Sequence, residues 1–305
     1  MGNISVTDPI GQAIERVRLL LFRPFDLGKW FTIGFCAWLA GLGERGFSAN
    51  FRSGSKSGPQ RGDIHQQFDH ARSVVLQNLY WILPLAIFVM VAVVALWVLL
   101  IYLSSRGKFM FLHCVALNRA EVREPWSRYF AASKSLFWFR IVLWLIGMVV
   151  TLPLLVLIGM AAFSMFIHDS WNFSGIMAMI AIGMVMIVIG IFFALVRKLT
   201  MDFVVPIMFL RGNRCLAAWR EFLQLLRSNA GQFALYILFQ LVLVIAIGVL
   251  IVAAVLVTCC IAGCVMMIPY VGTVLLLPVL VFKRAYSLYY FAQFGPGYNV
   301  FPPAA

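Results

Sequence analysis

The chain is 305 residues long, 63% apolar and only 11% charged, with a formal charge of +13. Such a balance excludes an ordinary soluble domain, and several apolar runs exceed the length of about 18 residues that marks a membrane helix. No basic cluster is long or polar enough to read DNA, so nucleic acid is excluded as a partner and the Lys/Arg excess reads as cytoplasmic loop charge.

Asp8-Pro9 opens the first element: a capping side chain precedes a proline at the first helical position. Ile10, Ala13, Ile14, Val17, Leu20 and Leu21 then share one face, with Gln12, Glu15, Arg16 and Arg18 on the other. This pattern predicts an amphipathic helix lying at a membrane surface. No signal-peptide cleavage site follows it, and Val6 stands where a myristoylation signal needs Ser or Thr. Arg23-Pro24 ends the helix, and a first span is expected over about 29–43, short for a bilayer core of about 30 Å.

Residues 44–72 form the one long polar segment and read as a flexible loop. Asp63, His65, Asp69 and His70 within it offer only weak spacing for a metal site, and a solvated loop is the expectation. A second span is expected over about 79–103, with Pro84 near its start and the helix free to continue through 104–119. Glu124-Pro125 restarts the first pattern: Trp126, Tyr129, Phe130, Leu136 and Phe137 fall on one face, Arg128 and Lys134 on the other. A third span follows over about 139–166, interrupted by Pro153, then a polar turn at 168–174 and a fourth span over 175–196. The third amphipathic helix covers about 215–227, with Leu216, Trp219, Phe222, Leu223 and Leu226 opposite Arg220, Glu221, Gln224 and Arg227. Spans over about 231–257 and 271–291 complete the set, ahead of a disordered Pro-rich tail at 295–305.

The whole chain, 1–305, thus reads as a single all-α polytopic membrane domain of about six spans. Its three repeats, at about 8–103, 124–196 and 211–294, each consist of an amphipathic interfacial helix and two transmembrane helices. Of the 24 Lys and Arg residues, 19 fall on one side of that arrangement. The positive-inside rule then places both termini and all three amphipathic helices in the cytoplasm of a prokaryotic cell, with the protein multi-pass in the cytoplasmic membrane.

The run RLLLFRPFDLGKWF at 18–31 and the re-entry RCLAAW at 214–219 resemble uncharacterised bacterial and archaeal membrane-protein families. These include the membrane region attached to some glycerophosphodiester phosphodiesterases. The resemblance implies a helical membrane module; the catalytic domain has no room here, so the activity does not come with it.

Chemistry is sparse. The expected span centres hold no Asp, Glu, Lys, Arg or His, which argues against an ion-coupled transporter. Gln240, Thr151 and Ser164 are expected in hydrogen bonds between helices, and Gly147, Gly159, Gly183, Gly190 and Gly248 where helices pack closely. The six cysteines have no framework spacing and read as buried thiols. His113 reads as a satisfied or interfacial histidine, and Asp202 as an ion-pair partner of Lys198 one turn earlier. No catalytic, cofactor or metal residue is therefore expected. Arg16, Arg18, Arg128, Lys134, Arg220 and Arg227 are the expected contacts to lipid headgroups or a membrane-protein partner. The reading is a non-enzymatic anchor, scaffold or assembly factor; the alternative is a channel or carrier for an apolar or lipid-like substrate.

Overall fold

The computed structural model describes residues 4–23, 25–42, 79–167, 173–258 and 261–301, and the regular elements among them are all helical. Helix α1 (Asp8–Val17) runs into a π-helical turn, Arg18–Phe22, and α2 (Leu27–Gly41) follows. Next come α3 (Leu79–Leu117), α4 (Arg123–Arg128), α5 (Phe130–Ile167) and α6 (Phe173–Leu199). A second π-helical turn, Thr200–Val204, joins α6 to α7 (Val205–Arg211), which precedes α8 (Cys215–Ser228) and α9 (Ala230–Val257). The chain closes through α10 (Ile261–Met267), α11 (Pro269–Leu275), α12 (Leu277–Ala292) and a 3-10 turn at Pro296–Tyr298.

Four stretches are long and apolar enough to cross a membrane: Leu83–Leu117, Phe130–Ser164, Gly175–Arg211 and Ala230–Val257. The shortest has 28 residues, more than the 20 or so that cover a hydrocarbon core at about 1.5 Å per residue. Burial divides each of them in two. On α3, large apolar side chains from Leu83 to Leu99 are mostly exposed, whereas Phe109 to Ala116 are buried. On α5 burial ends after Leu136, on α6 it begins only at Leu199, and on α9 it ends after Gln240. The buried ends converge with α1, α2, α8 and α12 on one core, called the head below; the exposed apolar lengths are the rods.

Aromatic rings fill the head. Phe203, in the second π-helical turn, stacks on Phe222 at 5.3 Å and meets Phe233 and Tyr236 edge-on at 5.0 Å each. The rods of α3, α5 and α6 pack in a row, with Trp97 4.4 Å from Trp144 and Gly147 facing Phe193. The rods otherwise present Val, Leu, Ile, Met and Phe outward, at a cost of about 25 cal/mol per Å² in water. Such a surface needs an apolar solvent, and it marks a membrane protein.

Two expected spans are not long helices. Helix α2 has 15 residues and lies antiparallel along the head part of α3. Lys29 Nζ donates to Asn118 Oδ1 at 3.0 Å at one end, and Ser104 Oγ donates to the Ala40 carbonyl at 2.8 Å at the other. Gly107 makes that approach possible: a Cβ there would sit 2.6 Å from the Leu39 carbonyl carbon and closer still to the Ala40 nitrogen. The last expected span breaks at Leu276, just before Pro278 in the first turn of α12. Pro153, in contrast, lies inside the unbroken α5 and does not interrupt it.

Other expectations are corrected too. A single helix over 125–138 is instead split at Tyr129, and its second half is the root of the α5 rod. Gly159, Gly183, Gly190 and Gly248 have no neighbour within 4 Å of a built Cβ, so close packing falls to Gly34, Gly107 and Gly272. Thr151 and Ser164 donate to carbonyls of their own helix, at Gly147 and Ala161; only Gln240 bonds between helices. Val300 is buried and Phe301 stacks 4.1 Å from Tyr289, so the expected disordered tail is packed at least to residue 301. The 44–72 loop, most of the 168–174 turn, and Cys259 and Cys260 lie outside the described residues.

Candidate functional site

A groove of about 690 Å³ opens where α5 leaves the head, facing the connection from α7 to α8. Gly212, at φ 65°, takes the left-handed conformation that stops α7, and its N–H returns to the Met208 carbonyl at 2.9 Å. The chain then reverses. Arg211 pairs with Glu221 across the turn at 2.6 Å, and the Cys215 N–H at the start of α8 donates to Ser135 Oγ at 2.9 Å. That bond holds α8 against α5 and fixes the width of the groove. Lys134 and Arg214 stand exposed at its mouth, and neither forms an ion pair with a described residue. Trp138, Phe139 and Val142 continue the wall onto the exposed rod. A cationic mouth over an apolar wall has the profile of an anionic amphiphile.

Behind the groove, the head buries charge. Arg106 is 6% exposed, and its guanidinium lies 5.1, 4.4 and 4.5 Å from the ring centroids of Tyr102, Trp126 and Phe130. Such contacts are worth about 0.5–2 kcal/mol each, which offsets part of the desolvation cost. Arg140 donates to Ser104 Oγ and Ser105 Oγ, both at 3.2 Å. A second network surrounds the π-helical turn between α6 and α7. Lys198 Nζ lies 2.8 Å from Asp202 Oδ2 and donates to Gln240 Oε1 at 3.1 Å. The Tyr236 hydroxyl donates to Asp202 Oδ2 at 3.1 Å and accepts from Gln240 Nε2 at 2.9 Å. The ion pair expected for Asp202 is present, and it belongs to a network that ties α6 to α9.

Residues 4–277 match DUF7544, a family of unknown function. The chain belongs to that family. No curated protein and no solved structure matches it. Nothing links the DUF7544 family to glycerophosphodiester phosphodiesterases, so the kinship implied by the RLLLFRPFDLGKWF and RCLAAW runs goes no further than uncharacterised membrane proteins.

In this DUF7544 chain the six basic residues expected at headgroups do not form one site. Arg18, Arg128, Lys134, Arg220 and Arg227 are exposed, on four different elements. Arg128 pairs with Glu124 at 3.6 Å, and Lys134 alone lines the groove. Arg16 is half-buried: Nε and Nη2 donate to the Val115 carbonyl at 3.0 and 2.9 Å, and Nη2 also reaches the Ala116 carbonyl. Its charge thus caps the C-terminus of α3, where orphan carbonyls and the helix dipole attract a cation. Burial pushes the Arg16 pKa down. By sequence alone, Arg106, Lys108, Arg140 and Arg214 count only as loop charge. A usable signal was Tyr102, one turn before Arg106 and on the same helix face.

Proposed function

We propose that this protein is a non-enzymatic anchor or scaffold of a prokaryotic cytoplasmic membrane, seated by anionic phospholipid in the groove between α5 and α8. The observation that carries the reading is the groove itself, with Lys134 and Arg214 at the mouth and Trp138, Phe139 and Val142 leading onto the rod. A headgroup phosphate fits between the cations while an acyl chain follows the wall. Two cations at an anionic surface contribute about 2 kcal/mol, roughly thirtyfold in lipid affinity.

The head sits on the cytoplasmic side in this reading, because 19 of 24 Lys and Arg residues fall on its elements. Connectivity supports six passes in three repeats. Helix α2 ends beside Ser104 in the head, whereas α3 starts at the far tip of its rod. Likewise α9 ends at a far tip, and α12 lies in the head against α1. A further pass before α3 and another after α9, in addition to the four rods, would complete that count.

The test is native mass spectrometry of protein released from nanodiscs of mixed phosphatidylglycerol and phosphatidylcholine. Retained phosphatidylglycerol that is lost in the Lys134→Glu/Arg214→Glu double variant supports the reading. Equal retention of both lipids by wild type and variant overturns it. Lipid or solute flux that depends on the protein in proteoliposomes favours the carrier alternative instead.

A further inference from the structure

The connection from α3 to α4 gathers three metal-ligating side chains. Helix α3 ends at Asn118, whose φ of 56° is the only left-handed non-glycine backbone among the described residues, and Lys29 Nζ holds its side chain at 3.0 Å. That turn folds residues 119–124 back over the last turns of α3. A ring nitrogen of His113 and one carboxylate oxygen each of Glu121 and Glu124 thereby come within 4.8 Å of one another. His113 is 1% exposed, and its Nε2 is buried with no hydrogen-bond partner. The other nitrogen, Nδ1, faces the Tyr129 hydroxyl at 3.5 Å.

An unpartnered buried nitrogen costs about 1–3 kcal/mol, so the head either wastes that energy or uses the nitrogen. The expectation of a satisfied histidine does not account for it. We propose that His113, Glu121 and Glu124 form a site for a divalent cation of the zinc class. Imidazole and carboxylate together suit a borderline ion rather than Ca²⁺ or Mg²⁺, which take oxygen alone. Around Zn²⁺, with bonds of about 2.0–2.2 Å, tetrahedral ligand atoms lie about 3.3 Å apart. The three groups need to close by about 1.5 Å at most, which the partly exposed Glu121 and the exposed Glu124 allow by rotating. The Tyr129 hydroxyl on Nδ1 is placed to orient the ring. Against the site stands the Arg128–Glu124 pair at 3.6 Å, with both side chains at least half exposed, and such pairs are worth about 0–1 kcal/mol. A zinc bond outweighs that. Three protein ligands leave a fourth position to water. The bound cation pins α4, and with it Trp126 over Arg106, onto the end of α3.

The site is tested on full-length protein in nanodiscs, stripped with a chelator and titrated with Zn²⁺ against a chromophoric competitor. One equivalent per chain is expected, with affinity falling about tenfold or more in Glu121→Gln, Glu124→Gln and His113→Gln. Glu124 is at the surface, so its variant keeps the fold even if the His113 change does not. X-ray absorption of the zinc-loaded protein should give a nitrogen/oxygen shell without sulfur, which separates this site from the nearby Cys36 and Cys114. Zinc binding unchanged in both glutamine variants of the glutamates, a sulfur shell, or no stoichiometric binding by wild type overturns the proposal. None of these outcomes depends on the lipid groove.

Discussion

At the scale of single residues, the head is held by side chains that a composition argument assigns to water. Asp202 neutralises Lys198 and takes the Tyr236 hydroxyl, so Asp202→Asn leaves an ammonium group facing two neutral partners. A buried broken pair costs about 3–5 kcal/mol; Lys198 is 39% exposed, which reduces the expected loss to about 1–2 kcal/mol, read as a lower melting temperature in detergent. Gly107→Ala should destabilise by about 1–3 kcal/mol, because its Cβ meets the α2 backbone, which has nowhere to go. Gly183→Ala, in open space on a helix, should be neutral or slightly stabilising in the same melt. Cysteine chemistry gives a pH-dependent check. Burial in the head pushes the Cys215 thiol up to about 12 from an ordinary 9.0. Below that ordinary value both folded and unfolded thiols keep the proton, and Cys215 adds no pH dependence. Above it the unfolded thiol ionises first, so stability falls as pH rises towards about 12. A protein bearing only Cys215 should resist maleimide near neutral pH until unfolded. The sequence told little of this: Arg106, Lys108 and Arg140 look like loop charges because their burial depends on contacts made by α2, α4 and α5.

At the scale of elements, the legible features were those with a local cause. Rods over 175–196 and 231–257 were read within a few residues of α6 and α9, because uninterrupted apolar runs need no partner to be helical in a membrane. What sequence could not decide was where α9 leaves the head: burial ends only after Gln240, inside an unbroken expected span. Helix α3 is clearer, because Ser104, Ser105, Arg106 and Lys108 interrupt the apolar run where its head part begins. The head also takes only part of an expected face. On α8, Leu216 and Leu223 are exposed, while Cys215, Ala218 and Phe222 are buried against the head. A periodicity of 3.6 finds an apolar stripe but not which part of it a second protein surface takes. The Arg16 cap is the sharpest element-scale case. Arg16→Leu removes charge-assisted bonds to the α3 C-terminus and should cost about 2 kcal/mol. Hydrogen exchange should then quicken in the last turn of α3, with the rods unaffected.

At the scale of the whole molecule, membrane placement was legible from composition, and four of the six expected spans are long apolar helices. Six apolar runs were visible, but two of the helices they form lie in or against the head. Fluorescent reporters fused to either terminus should both read as cytoplasmic, and one placed at 44–72 should read as external. One feature of the head also constrains the order of events during synthesis. Ser5 and Gln293 exchange two hydrogen bonds, 2.8 Å to the Ser5 N–H and 2.9 Å to its carbonyl, and the Tyr286 hydroxyl reaches Val6. The contacts of the first helix with α12 therefore form only when the last residues leave the ribosome, tens of seconds later at about 5–20 residues per second. If α1 rests on the bilayer surface until then, lipid rather than α12 shelters its apolar stripe. The apolar stripe of α1 would then serve two environments in succession, first the membrane and then α12. A ribosome-stalled chain that ends before Leu277 should leave α1 open to protease, and release of the remaining residues should close it.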